Sequence, residues 1–311
     1  MRVTTPLRAA FAATSLTVAL VACGSVDASQ PKPKESDQVE HTDDISAGVQ
    51  PDPAAVKLLP EAVKTKGTIS VAMDLSSPPT TFMATDNKTP IGFNPDMARL
   101  IAAKLGVKLQ IDNVKFDTII PGLQGGRFDF TATTMGATAE RLKVLDMINY
   151  FQNGTGVAVP RGNPQKLNVH ELCGRRVGVQ SGTTAELKWL PQLNDKDCTS
   201  QGKSAITAVT LPSVNDALTQ LASKRLDAVM YDFTSLSWAA KRQPEALEVL
   251  PERVVSATVN VALPKGSALT PAIQAAVQSI IDSPKYAEAL DRWGFQGLGI
   301  KTAAMAVPLG Q

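Results

Sequence analysis

Few residues in this 311-residue chain have the chemistry for catalysis or metal binding. His41 lies in a proline-bearing stretch and His170 is the one histidine in the rest of the chain, so a histidine-based metal site is not expected. Ser181 sits between Gln180 and Gly182, so the Gly-x-Ser-x-Gly elbow of a hydrolase is missing. Gly202-Lys203-Ser204 has the ending of a phosphate loop, but Asp197 holds the place of its first glycine. Gly154-Thr155-Gly156 lacks the third glycine of a dinucleotide fingerprint. All of these read as structural, so no metal, cofactor or catalytic residue is expected.

Charge narrows the classes further. Lys+Arg number 31 against 29 Asp+Glu, a near-zero balance that argues against a protein built to neutralise nucleic-acid phosphates. With 43% hydrophobic and 19% charged residues the chain can build cores, and its length suits two lobes. Arg2 and Arg8 precede a short apolar run, Ala9 to Leu20, too short for a membrane span and suited to a secretion signal. Leu20-Val21-Ala22-Cys23 then resembles a bacterial lipobox. That implies a signal peptide over residues 1–22, lipidation of Cys23, and an exported protein anchored to the outer face of the cell membrane. The remaining Cys173 and Cys198 then lie in an oxidising compartment and fit no metal spacing, so a disulfide is expected.

Elements follow from punctuation and periodicity. Residues 23–59 carry Pro31, Pro33, Pro51 and Pro53 and no aromatic side chain, and read as a flexible, lipidated tether. From Gly67 strand and helix signals alternate. Thr68–Met73, Lys108–Asp112, Phe128–Thr133 and Asp227–Tyr231 have strand character. Asn94-Pro95-Asp96 and Ser213-Val214-Asn215-Asp216 open helices with capping residues. Two more helices are expected near 271–281 and 284–293. Such alternation implies an α/β architecture with largely parallel sheets. An internal echo, Leu123-x-x-x-Arg127-Phe128-Asp129 and Leu221-x-x-x-Arg225-Leu226-Asp227, suggests two similar lobes. Thr155–Val159 and Thr258–Leu263 are placed as a pair of crossovers between them, a hinge.

Several segments in order resemble one family. They are Gly92-Phe93-Asn94-Pro95-Asp96-Met97-Ala98, Phe116-Asp117 through Pro121-Gly122-Leu123, and Met135-Gly136-Ala137-Thr138-Ala139-Glu140-Arg141. Val177 to Thr184, Asp227 to Asp232, and Arg292-Trp293 follow. Together, over about residues 65–295, they resemble bacterial extracellular solute-binding proteins of family 3, the amino-acid-binding components of ABC importers. The resemblance implies a type II periplasmic-binding-protein fold: two α/β lobes joined by a two-strand hinge. Lobe 1 would hold residues 60–156 plus 260–311, and lobe 2 residues 157–259. It also implies an amino-acid-like ligand, a permease and an ATPase on separate chains, and a monomer.

Matching positions give the expected site. Arg141 would grip a ligand carboxylate, for which a guanidinium fork is suited; read alone, it could instead pair with Glu140 or Asp146. Asp232, closing a strand, would accept the ammonium, or cap the next helix, or both. Thr183 and Thr184 would offer backbone donors at a helix start, and Thr133 and Thr134 would line the cleft. Phe116 would stack on the ligand, with a core position as the competing reading. Asp74 would face the ligand tail, and Gln180 would add a neutral donor and acceptor. Ser77 and Thr80 stand where the family usually carries aromatic rings, and Gly136 where it usually carries a hydroxyl, so one wall would be less aromatic and wider or wetter. The charge balance favours neutral polar or basic ligands. A cyclohexadienyl-dehydratase-like enzyme and a sensory binding protein are the alternatives.

Overall fold

The computed structural model of the chain describes residues 40–309. The signal, the lipobox with Cys23 and the tether up to residue 39 lie outside the described residues. Strands run in chain order as β1 (Thr68–Met73), β2 (Ser76–Ser77), β3 (Thr81–Met83), β4 (Pro90–Ile91), β5 (Lys108–Asn113) and β6 (Phe130–Gly136). They continue as β7 (Leu145–Pro160), β8 (Arg176–Gln180), β9 (Thr207–Leu211), β10 (Ala228–Asp232), β11 (Leu247–Val249) and β12 (Val255–Pro264). The main sheet has the order β5-β1-β6-β12-β7-β10-β8-β9, with β11 on β7; β2, β3 and β4 form a small sheet.

Two parallel groups, β5-β1-β6 and β9-β8-β10, flank the long antiparallel pair β7 and β12. The first half of β7 pairs with β12 and its last residues pair with β10 and β11. Apolar clusters divide in the same way: two draw on residues before 152 and after 258, the other two on residues 157–250. Two α/β lobes are thus joined by β7 and β12. β6 is buried along its whole length, as a central strand covered on both faces must be, while edge strand β5 alternates. The third strand begins two residues later than the sequence suggests. Phe128 instead packs against Gly122, where a Cβ would stand 2.5 Å from its ring.

The echoed aspartates play matching parts. Asp129 accepts from the N–H of Ser70 in β1 at 2.7 Å, and Asp227 from the N–H of Arg176 in β8 at 2.8 Å. Each ties a helix-to-strand junction to the neighbouring parallel strand. Helix Val214–Ala222 is capped by Ser213, whose hydroxyl accepts from the Asp216 N–H at 3.2 Å. Cys173 and Cys198 are joined in a disulfide with Cα atoms 5.5 Å apart.

Two expectations are corrected. The tether cannot extend to residue 59, because Ile45, Ala55 and Leu59 are 1%, 0% and 5% exposed within the first lobe's core. The segment has too few apolar residues for a core of its own but enough to complete one built by others. Asp52 caps helix Pro53–Lys57, Glu40 accepts from Thr85, His41 meets the Trp293 ring edge-on at 5.4 Å, and Asp43 pairs with Arg292. Nor does Asn94 cap its helix, which runs Phe93–Leu105 from Gly92. Its amide donates to Thr81 and Thr134 instead, and Asp96 forms a buried cluster with Arg99, Arg292 and the Trp293 indole N–H, the last at 2.8 Å. Among the described residues no helix is long and apolar enough to cross a membrane.

Candidate functional site

Asp74 follows β1, Thr134 and Gly136 end β6, Gln180 ends β8 and Asp232 ends β10. These are carboxyl ends of parallel strands in both lobes, where open α/β sheets bind ligands. The lobes are closed on one another there. Gln180 donates to Asp74 at 2.6 Å, Ser181 to Asp117 at 2.9 Å, and the Ser77 and Tyr231 hydroxyls lie 2.8 Å apart. Arg141 reaches across with one terminal nitrogen to Gly182 O at 2.7 Å, while the other donates to Gly136 O in its own lobe at 2.8 Å.

A small cavity lies behind Arg141, lined by Phe116, Thr134, Gly136, Arg141, Thr155, Thr183, Thr184, Ala185, Tyr231 and Asp232. Its volume is about 10 Å³, room for about one water molecule. Outside Arg141 a wider, largely apolar vestibule of about 740 Å³ shares Phe116, Arg141 and Thr184 with it. Arg141 therefore faces both vestibule and inner cavity.

Electrostatics single out two groups. Burial pushes the Asp232 carboxyl up to about 7, against the opposing pull of Arg141. Burial also lowers Arg141 to about 10, against the raising effect of Asp232. Asp232 occupies the first-residue cap of helix Phe233–Arg242, yet its carboxylate makes no capping bond. Arg141 is 5% exposed, which removes the surface-pair reading with Glu140 or Asp146. Its guanidinium carbon lies 5.8 Å from the Phe116 ring centre. Phe116 belongs to the first lobe's core and faces both cavities, so its two readings hold together.

Other expected residues stand differently. Asp74 does not line the inner cavity: it is buried, its carboxyl raised by that burial, and it accepts from Gln180 and from the Phe116 N–H at 3.2 Å. Ser77 acts through Tyr231, and Thr80 turns into its own loop, donating to Ser77 O at 2.8 Å. Thr133 is buried but outside the cavity lining. Thr183 and Thr184 both line the inner cavity, and two backbone donors of their loop are already taken. The Gly182 N–H is taken by Glu186 at 2.6 Å and the Thr183 N–H by Gln180 O at 3.3 Å. Gly136 does not widen its wall, because Leu309 Cδ1 occupies the space, 2.8 Å from where a Cβ would stand.

Residues that sequence reasoning passed over complete the site. Thr155 is the register partner of Asp232 across β7 and β10, and Tyr231 precedes Asp232. Thr134, expected from the sequence to line the cleft, has a φ of 55°, rare for a β-branched residue and a mark of local strain. A buried network holds it: Asn94 donates to Thr134 Oγ1 at 2.9 Å and to Thr81 at 2.7 Å, Tyr150 donates to Asn94 at 2.6 Å, and the Thr134 N–H donates to Tyr150 at 3.2 Å. The adjacency of Tyr231 to Asp232 was a signal; nothing in the sequence paired Thr155 with it.

In sequence, the chain is 29% identical over 246 residues to the arginine-binding protein ArgT of Corynebacterium glutamicum, covering 79% of this chain and 80% of that one. An ancestral arginine-binding protein solved with arginine matches at 30% identity and a TM-score of 0.66, over 73% of this chain and 98% of its own. An ancestral amino-acid-binding protein described as a precursor of cyclohexadienyl dehydratase matches at 25% identity and a TM-score of 0.67, over 76% and 99%. The model for bacterial extracellular solute-binding proteins, family 3, spans residues 69–296, and the chain belongs to that family.

Proposed function

We propose that the chain is an exported, non-catalytic binding protein that captures an amino acid or amino-acid-like solute, neutral polar or basic, for an ABC importer. Its permease and ATPase would be separate chains. Lipid on Cys23 would hold a monomer at the membrane, tethered through the segment before residue 40. Arg141 takes the ligand carboxylate and Asp232 its ammonium, from opposite sides of the closing cleft. The observation that carries this reading is the facing of the buried Arg141 and the desolvated Asp232 across one small cavity, with no hydrogen bond to the Asp232 carboxylate among the described residues. The name of the Corynebacterium relative supports a basic ligand. Calorimetry with arginine, lysine, glutamine, cystine, aspartate and glutamate tests it. Tight binding of a basic or neutral polar compound is expected, and binding of aspartate or glutamate alone would reject the charge assignment.

One observation favours a second reading, the likeness to a dehydratase precursor. A carboxyl with a pKa near 7 is suited to acid–base work, and Asp232 has one. Recovery of the bound ligand unchanged after long incubation supports capture; its conversion to product supports the enzyme.

A further inference from the structure

The family match ends at residue 296, but the fold does not. Residues 298–306 return along the first half of β7. The Gln152 N–H donates to Leu298 O at 2.7 Å, the Asn149 N–H to Ala304 O at 2.9 Å, and the Ala306 N–H to Met147 O at 2.8 Å. Ile148 and Met305 pair antiparallel. These bonds fix the segment to the first lobe, where the Leu309 N–H also donates to Ala137 O at 2.8 Å. The Leu309 carbonyl, by contrast, accepts from Lys188 Nζ, and its side chain packs on an apolar cluster of the second lobe.

Leu309 packs against a residue that lines the inner cavity. A Cβ on Gly136 would stand 2.8 Å from Leu309 Cδ1 and 3.3 Å from Thr184 Cγ2, and both Gly136 and Thr184 line that cavity. One residue of the first lobe thus lacks a side chain where the segment needs the room. We propose that residues 298–309 form a strap across the cleft, with Leu309 as its bolt between Gly136 and Thr184. The strap holds the lobes together and slows ligand release.

The physical argument rests on which contacts survive opening. The bonds to β7 lie within one lobe and do not depend on closure. The contacts of Leu309 with Lys188 and with the second lobe exist only when the lobes meet, so they bias the closed state. A half-buried leucine and one hydrogen bond to a charged amine are together enough for a shift of about tenfold. The effect on release rests on the proposed solute-binding role; the latch itself does not.

The test uses the full chain with Leu309→Ser and, separately, Lys188→Ala, each checked for folding by circular dichroism. Solution scattering of the protein freed of ligand is the deciding measurement. Both variants should be more open than the parent, and scattering profiles identical to the parent's would overturn the latch. Stopped-flow release of arginine should be about tenfold faster in each variant. Unchanged release despite a shifted profile would overturn the strap's part in release. Failure of arginine to bind the parent would count against the proposed ligand class, and the scattering comparison would still decide the latch.

Discussion

Asp232→Asn isolates the charge that burial disfavours. In the folded chain its carboxyl is raised from 3.8 to about 7. A carboxyl whose folded pKa lies above its unfolded value holds its proton more tightly when folded. Its contribution to stability is therefore most favourable below pH 3.8, falls as pH rises, and reaches its full penalty above about pH 7. The asparagine variant has no such titration, so its stability relative to the parent should climb across the same window. A rise of about three pKa units corresponds to about 4 kcal/mol, and the part of Asp232 that stays accessible reduces the expectation to about 2 kcal/mol. Urea denaturation of both proteins without ligand, at pH 4, 6 and 8, measures the difference, and all shared titrations cancel. A gap that is constant over these pH values would refute the assignment. Ligand affinity should move the opposite way from parent stability: it should rise with pH to about 7 and level off, because an ammonium binds the ionised carboxylate.

Further outcomes follow from the same geometry. Arg141→Ala should weaken ligand binding by at least about tenfold, about 1.4 kcal/mol, in calorimetry, with the ligand-free fold intact by circular dichroism. A chain starting at residue 60 should be less stable than one starting at residue 40 by about 3–6 kcal/mol, the burial of Ile45 and Leu59, as read by urea denaturation. Cys173→Ser with Cys198→Ser should lower stability by about 3 kcal/mol in denaturant melts and leave affinity within about twofold, because the bridge lies outside the cavity lining. Arginine blocked as its methyl ester or its Nα-acetyl derivative should each bind at least about thirtyfold more weakly than arginine in competition calorimetry, since either leaves one buried charge unpaired.

Much of the fold was legible because it is local. Ser213 caps its helix in three residues, β6 reads as a strand, and the leucine-to-aspartate echo marks junctions that the structure ties in the same way in both lobes. The site was legible where a strand end carries a charge, as at Asp232. What the sequence hid depends on distant partners. Asn94 looks like a cap because Asn-Pro-Asp is a good helix start, yet its amide is required by Thr81 and Thr134. Asp74 looks free for a ligand until Gln180, on the other lobe, is seen to take it. Gly136 looks like an enlarged wall until Leu309 fills it. Residues 40–59 look too polar to fold because composition cannot reveal a core supplied by the rest of the chain.

In the proposed role of Arg141 and Asp232, capture and closure are one event. Each terminal nitrogen of Arg141 carries two hydrogens, and one from each is given to a neutral carbonyl, Gly136 O and Gly182 O. A carboxylate would accept charge-assisted bonds about twice as strong as those. That gain is available in part with the lobes apart, because Arg141 and Gly136 travel together on the first lobe, so it cannot by itself favour closure. Asp232 closes β10 in the second lobe, and a zwitterion reaches both charges only when the lobes meet. The same burial that pushes the Asp232 carboxyl to about 7 and Arg141 down to about 10 then makes a ligand with both charges more favourable than water at either. In the proposed capture, a solute carrying both charges adds to the closed state contacts that a solute carrying only one of them lacks.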